Sequence, residues 1–103
     1  MRLGKEQKRW IATRKEWIKN NPPDYGGYWY CIVGGRALTD KLSEQEYGAL
    51  LLTLDHNIPR SRAPELRHHL GNLNPMCPYH NSKKGSRSLE EYLKTKPDKV
   101  CRY

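Results

Sequence analysis

The chain has 103 residues, which is enough for one domain and too few for two ordinary ones. Its net charge is +8, only 36% of its residues are hydrophobic, and Phe is absent, so we expect a small core built on three Trp and seven Tyr. The sequence has no long apolar run and no secretory signal, which argues against a membrane or secreted protein. Three widely spaced cysteines favour a reducing compartment, and we expect a cytoplasmic location.

The positive charge is concentrated at the two ends of the chain. Residues 1–20 carry seven Lys or Arg and two acids, residues 81–103 carry seven and three, and the segment between them sums to −1. Two basic ends are typical of a protein that binds a polyanion, most often nucleic acid, because neutralised phosphates release condensed counterions. Charged faces that contact only solvent are the alternative that composition leaves open.

The first predicted element is a basic helix over residues 5–19, within an N-terminal segment 1–21. Trp10 and Ile11 stand one heptad before Trp17 and Ile18, so the helix has one narrow apolar stripe. Two consecutive prolines follow and end it.

Further along the chain, turn residues and capping patterns predict short elements. The stretch "DYGGYW" predicts a turn before an aromatic strand at about 28–33, and two glycines then indicate a reversal. Ser43 with Glu46 is a capping box that predicts a short helix before a strand at about 52–54. Ser88 with Glu91 is a second capping box and starts a C-terminal helix.

The segment 59–85 is too long, and too rich in Pro, Arg and His, to be a simple connection between two elements. Long irregular segments of this kind in small domains are commonly functional. The side chains able to do chemistry in and beside this segment are Asp55, His56, Asn72, Asn74, Cys77, His80 and Asn81. His68 and His69 also lie here, and we interpret them as surface or phosphate contacts.

The stretches "YCIVGG", "LDHNIPRS", "GNL" and "CPYHNSKKG", in that order over residues 29–88, resemble the HNH endonuclease family, particularly the small free-standing phage proteins, several of which are homing enzymes. The resemblance implies an α+β fold, a small ββα-metal (His-Me finger) domain that forms a single unit over residues 1–103. The core would span residues 29–88, with a basic N-terminal helix before it and a C-terminal helix and tail over 88–103. Its strands would be 52–58 and 73–76, followed by a helix over 78–84.

The same resemblance assigns roles to the polar residues. His56 resembles the general base, Asp55 a metal ligand, and Asn72 the central asparagine that holds the loop in place. Asn81 matches the last letter of the motif, a second metal ligand, and the adjacent His80 is the alternative. We therefore expect His56 and Asn72 to be the catalytic pair and Asp55, Asn81 or His80 to bind the metal.

Hydrolysis of a phosphodiester suits these residue types. The reaction needs a water stripped of its proton, and an imidazole is suited to accept that proton. Carboxylate and amide oxygens are suited to hard Mg²⁺ or Mn²⁺. The expected activity is DNA endonuclease activity on double-stranded DNA, by nicking or double-strand cleavage, from a monomer or a weak dimer.

Many HNH proteins carry two C-x-x-C knuckles that hold a structural zinc, and this chain departs from that pattern. Cys31 is followed by Gly34 where the second cysteine would stand, and Cys77 by His80, so three ligands remain whereas structural zinc takes four. Cys101, or one of the loop histidines 68 and 69, could supply the fourth ligand. Alternatively zinc is lost, and the cysteines pack as small hydrophobic residues.

Basic residues near these motifs are candidates for contacts with the DNA backbone. They are Arg60, Arg62, Arg67, Lys83, Lys84 and Arg87, and on the N-terminal helix Lys8, Arg9, Arg14 and Lys15. Two other functions stay open: a non-catalytic DNA-binding module with a decayed knuckle, and an RNA-directed nuclease or toxin-like effector.

Overall fold

A computed structural model describes residues 4–40 and 48–102 and gives a small α+β architecture of three helices and two antiparallel sheets of two strands each. In chain order the elements are α1 (Lys5–Asn20), β1 (Trp29–Tyr30), β2 (Ala37–Leu38), β3 (Thr53–His56), β4 (Leu73–Met76), α2 (Pro78–Lys84) and α3 (Leu89–Lys94). Short 3-10 turns connect several of them. The predicted capping box at Ser43 and Glu46 lies outside the described residues.

The N-terminal helix forms as the sequence predicts, but its buried face differs in one position. Trp17 is buried and Trp10 and Ile18 pack against the core, whereas Ile11 is 41% exposed. Thr13 is buried instead, because it lies between the two tryptophans on the helix surface. The helix ends where the backbone N–H of Asn21 donates to Trp17 O at 2.9 Å, just before the two prolines.

The first sheet is shorter than the predicted strand 28–33. Trp29 pairs with Leu38 and Tyr30 with Ala37, and the chain then leaves the sheet. At Cys31 the carbonyl accepts from Gly35 N–H at 2.8 Å, while Cys31 N–H donates to Arg36 O at 2.9 Å. These bonds close a turn in which Gly35 adopts a φ of +76°, a conformation that glycine reaches without steric cost.

The second sheet and the helix after it form the centre of the molecule. β3 and β4 are antiparallel, with Thr53 opposite Met76 and His56 opposite Leu73. β3 stops at His56, two residues before the predicted end, whereas β4 and α2 have the predicted bounds. Helix α2 starts directly after β4, with Pro78 at its first position and the Cys77 Sγ accepting from His80 N–H.

The last helix begins at the predicted capping box. Glu91 N–H donates to Ser88 Oγ at 3.1 Å, and Ser88 N–H donates to Glu91 Oε1 at 2.9 Å, so both orphan donors are satisfied. Its Tyr92 joins the core. The core comprises the buried side chains of Trp17, Trp29, Cys31, Val33, Leu38, Leu52, Leu54, Leu73, Met76, Cys77, Tyr92 and Cys101. Within the described residues, no helix is both long and apolar enough to cross a bilayer.

Candidate functional site

A cleft of about 360 Å³ opens where β3 ends against α2 and the start of the long loop. Three residues predicted to be catalytic or to bind the metal, Asp55, His56 and Asn81, line it together. The remaining lining residues are Leu54, Pro59, Arg60, Ser61, Lys84, Gly85 and Ser86. The antiparallel sheet and the helix that follows it therefore bring together residues 25 or more positions apart in the sequence.

Asp55 is buried, and its carboxylate forms an ion pair with Lys84 at 2.7 Å between Oδ2 and Nζ. Burial raises the pKa of Asp55, and the ammonium group of Lys84 partly offsets this because it favours the charged carboxylate. Lys84 also donates to His56 O at 2.9 Å. The side chain of Lys84 is only 1% exposed, so the expectation of a surface phosphate contact is corrected to an internal ion pair that holds the end of β3.

His56 follows Asp55, yet both residues line the cleft, because the regular strand ends at this point. The His56 ring is held by its Nε2, which donates to Arg67 O at 2.9 Å. A carbonyl can only accept, so this bond fixes the neutral tautomer that has its proton on Nε2. Nδ1 is then the unprotonated nitrogen, which is able to accept a proton.

Asn81 lies one turn into α2, and its amide orientation is set by a hydrogen bond. Its Nδ2 donates to Thr53 Oγ1 at 3.0 Å, and the Thr53 hydroxyl in turn donates to Met76 O. Because the hydroxyl proton is used on Met76, the amide must direct its NH₂ group to Thr53. This leaves the amide oxygen of Asn81 as the group available to a ligand.

Asn72 is buried and ties the long loop to the end of β3. Its Oδ1 accepts from Ile58 N–H at 3.0 Å, and its Nδ2 donates to Ile58 O at 3.1 Å and to Leu66 O at 3.4 Å. Its backbone carbonyl accepts from Asn57 N–H at 2.7 Å. Asn72 thus acts on the conformation of the loop and is absent from the lining of the cleft, whereas nearby Asn74 donates to Asn57 Oδ1.

His80 lies apart from the cleft, fully buried among three cysteines. Its Nδ1 is 3.8 Å from Cys31 Sγ, 3.3 Å from Cys77 Sγ and 3.5 Å from Cys101 Sγ. All four ligand atoms lie within 4.8 Å of one another. Of the two roles that the sequence offers His80, the structure favours membership of the thiol cluster over coordination beside Asp55.

The geometry of this Cys₃His cluster fits a tetrahedral metal site. Ordinary zinc–sulfur and zinc–nitrogen bond lengths at tetrahedral angles place nitrogen about 3.6 Å from each sulfur. The observed values of 3.3–3.8 Å bracket that separation. In addition, His80 Nε2 donates to Asp98 O at 2.7 Å, which leaves Nδ1 unprotonated and aimed at the sulfurs, the usual arrangement of a metal-bound histidine.

The fourth ligand comes from the C-terminal tail, and Gly34 makes room for it. A Cβ at residue 34 would fall on Cys101 Sγ and would lie 2.6 Å from Lys99 O. The position where a C-x-x-C knuckle would carry its second cysteine is therefore filled by Cys101 from outside the knuckle. The sequence offered Cys101 and the loop histidines equally, because a distance of 70 residues carries no local signal.

The donor set is more suited to zinc than to Mg²⁺ or Mn²⁺, because thiolate sulfur is a soft ligand and those two ions prefer oxygen. Burial, together with the neighbouring sulfurs, raises the pKa of the Cys77 thiol to about 12. Three buried thiolates would repel one another without a cation, whereas a coordinating metal deprotonates its thiols outright.

The predicted DNA contacts divide into exposed and engaged residues. Arg62 pairs with Glu91 at 2.5 Å, and Arg67 pairs with Glu6 at 2.7 Å. Arg87 lies over the ring of Tyr92 at 5.1 Å. Arg14 is half-buried, and the residues that face solvent are Lys8, Arg9, Lys15, Arg60 and Lys83.

Comparison with protein families, with curated proteins and with solved structures finds no match to this chain.

Proposed function

We propose that the chain is a metal-dependent DNA endonuclease of the HNH type, with a ββα-metal core formed by β3, β4 and α2. The observation that carries this proposal is the convergence of Asp55, His56 and Asn81 on one cleft. An acid that can bind a metal, an imidazole that can accept a proton and an amide oxygen that can be a second metal ligand are together suited to phosphodiester hydrolysis.

In the proposed reaction, Nδ1 of His56 accepts the proton of the attacking water. The hydrogen bond from Nε2 to Arg67 O supports this role, because it fixes the plane of the ring and makes Nδ1 the nitrogen with the free lone pair in the neutral imidazole. A general base of this kind contributes about 10²- to 10⁴-fold in rate. Asn72 contributes indirectly, since its hydrogen bonds hold the loop that carries Arg67.

Asp55 and Asn81 would hold one divalent cation, Mg²⁺ or Mn²⁺, through a carboxylate and an amide oxygen. Such a cation supplies charge stabilisation at the phosphate and lowers the pKa of a bound water. With two protein donors, water and the phosphate itself would complete the coordination. The ion pair between Asp55 and Lys84 at 2.7 Å neutralises the carboxylate in part and is expected to weaken cation binding.

The Cys₃His cluster of Cys31, Cys77, His80 and Cys101 is proposed as a structural zinc site. It lies at the start of α2, the helix that carries Asn81, so the zinc would hold that helix against β1 and the C-terminal tail. In a chain with so few hydrophobic residues, such a zinc would add to the hydrogen bonds from Arg36 that hold the tail.

The proposed substrate is double-stranded DNA. The net charge of +8 and the exposed cations of α1 and of the cleft rim support a polyanion as partner. Arg60 is the best placed of these cations, because it lines the cleft beside His56 and is exposed.

One observation favours a second function, a DNA-binding module without catalysis. Because Lys84 already neutralises Asp55, the cleft has a complete ion pair without any metal. A protein of this kind would bind DNA in a salt-dependent manner and would leave it intact.

Cleavage of supercoiled plasmid in Mg²⁺ or Mn²⁺ separates the two functions. We expect the wild type to nick the plasmid and His56→Ala to lose at least about 10²-fold in rate. His69→Ala is the control, because it removes an exposed imidazole from the loop that follows His56. It should keep the catalytic rate at saturating DNA even if His69 contacts a phosphate. Intact plasmid with every metal, or equal cutting by His56→Ala, would reject the nuclease proposal, and retained salt-sensitive binding would then favour the module. Matched RNA offered in the same assay tests the RNA-directed alternative.

Elemental analysis of the purified protein tests the zinc proposal independently. We expect one zinc per chain in the wild type and a substoichiometric amount in Cys101→Ser. A wild type free of zinc after expression in zinc-supplemented medium would refute the structural site and would leave the proposal for the cleft untouched.

A further inference from the structure

The indole of Trp10 lies against the imidazole of His56. The two ring centroids are 5.5 Å apart and their planes differ by 30°, a stacked arrangement. Trp10 belongs to α1, an element that the sequence assigns only to charge contacts with DNA. On the side of α1, His56 also borders a second cleft of about 340 Å³, lined by Glu6, Gln7, Trp10, Arg60 and Arg67.

The same half of α1 is fastened to the loop that holds the other edge of His56. Glu6 forms an ion pair with Arg67 at 2.7 Å, and Thr13 Oγ1 lies 2.6 Å from His68 Nδ1. The Thr13 hydroxyl donates its proton to Arg9 O at 2.9 Å, so its oxygen accepts from His68 Nδ1–H.

These contacts all involve Arg67 or its neighbour His68. The carbonyl that receives His56 Nε2–H is that of Arg67, the residue whose side chain pairs with Glu6 and whose neighbour is bonded to Thr13. Helix α1 thus constrains one face of the imidazole through Trp10 and its Nε2 edge through the loop. His56 also lines the cleft that contains Asp55 and Asn81.

We propose that Trp10 is a positioning residue for His56. Helix α1 would then orient the imidazole of the active centre in addition to carrying basic residues. This inference rests on the proposed nuclease function. Trp10 does not line the cleft that holds Asp55, His56 and Asn81 together, although it borders a neighbouring cleft with Asn81. It acts by restricting the rotation of the imidazole about its own side-chain bonds. General bases depend strongly on such alignment, and a displacement of about 1 Å can reduce the rate 10²-fold.

Two substitutions of Trp10 test whether it orients the His56 ring or only fills space beside it. Trp10→Phe keeps a flat aromatic face, whereas Trp10→Leu keeps apolar bulk and loses the face. We expect Trp10→Leu to lower kcat by about 10- to 100-fold with KM and DNA affinity within about twofold of wild type, and Trp10→Phe to retain kcat within about threefold. The matched control is Ile11→Ala, which removes a 41% exposed side chain from the same helix and should leave kcat unchanged.

The NMR spectrum of the histidine rings provides a readout that needs no activity. In the wild type, the ring current of Trp10 should shift the imidazole protons of His56 upfield, and this shift should vanish in Trp10→Leu. The shift is measured on the wild type, so the test holds even if a variant fails to fold.

The outcomes differ for the two proposals. A wild type without the upfield shift, or a Trp10→Leu variant that loses the shift and keeps full kcat, overturns the positioning role. Loss of kcat together with an equal loss of DNA affinity also overturns it, because α1 would then act through binding alone. A wild type that shows the shift but cuts no nucleic acid refutes the nuclease function instead, and the positioning role with it.

Discussion

Replacement of Lys84 by methionine tests the buried ion pair without assuming any function. The ammonium group is 1% exposed, pairs with Asp55 at 2.7 Å and donates to His56 O at 2.9 Å. Lys84→Met would leave a carboxylate without its counter-charge and a carbonyl without its donor. Removal of one partner of a buried ion pair lowers the free energy of unfolding by about 3–5 kcal/mol.

We expect the lower end of that range, about 3 kcal/mol. Asp55 lines a cleft and its pKa is already raised by burial, so without Lys84 it can take up a proton and escape part of the penalty. Domains of this size have total stabilities of about 5–15 kcal/mol, so the loss is a large fraction of the whole.

Urea unfolding followed by Trp fluorescence measures this loss. With a slope of about 1–3 kcal/mol per molar urea, the midpoint should fall by roughly 1–3 M. The matched control is Lys83→Met, which removes an exposed ammonium from the same helix and should change the free energy of unfolding by no more than about 0.5 kcal/mol. Zinc content must be equal in all samples, because a bound metal contributes to stability itself.

The double variant Asp55→Asn/Lys84→Met allows the coupling between the two side chains to be measured by a double-mutant cycle. It removes the uncompensated charge, so it should lose only about 1 kcal/mol, the cost of the unsatisfied His56 carbonyl. A Lys84→Met variant that loses less than about 1 kcal/mol, or a double variant as unstable as the single one, would refute the assignment of Lys84 as the internal partner of Asp55.

Three further predictions concern other parts of the fold. Gly34→Ala should lower zinc content and cost about 1–3 kcal/mol in urea unfolding, because its methyl group collides with Cys101; full zinc content would contradict this. Hydrogen bonds from Arg62 and Ser88 lower the pKa of Glu91 from 4.5 to about 2. Above pH 4.5 the free energy of unfolding of the wild type should therefore exceed that of Glu91→Gln, and this difference should vanish as the pH falls towards 2. Denaturation at several pH values measures the difference, and a difference independent of pH would contradict the prediction. Asn72→Ala should cost about 2–3 kcal/mol in thermal unfolding, since it leaves buried loop groups unsatisfied, and a loss below about 0.5 kcal/mol would refute its role in the loop.

The Cys₃His cluster shows how a long-range contact can complete a local motif. Arg36 donates to the carbonyl groups of Cys101 and Arg102, and so helps hold the tail in place. The tail then places a thiol beside Gly34, where a side chain on the knuckle itself would clash. A thiol from another part of the chain therefore completes a group of four side chains that could hold a metal.

The fold elements could be predicted where their causes are local. The heptad of tryptophans predicts α1 and the Ser88 capping box predicts the start of α3, whereas the start of α2 is expected only from the family resemblance. The strands are less accurate. β1 is cut short where the chain reverses and Gly35 N–H donates to Cys31 O. β3 ends where the backbone N–H of Ile58 donates to the side-chain oxygen of Asn72, and side-chain patterns do not encode either contact.

By itself the sequence determined α1, the start of α3 and the set of polar residues worth considering, since periodicity and capping depend on near neighbours. The α+β class and the position of α2 were expected from the family resemblance. Only the tertiary structure decided which residues contact one another. His80 lies among the three cysteines, Lys84 forms a buried ion pair with Asp55, and the ring of Trp10 stacks on that of His56. Each of these contacts joins residues from separate elements, and burial and charge neutralisation select such pairs only once the chain has folded.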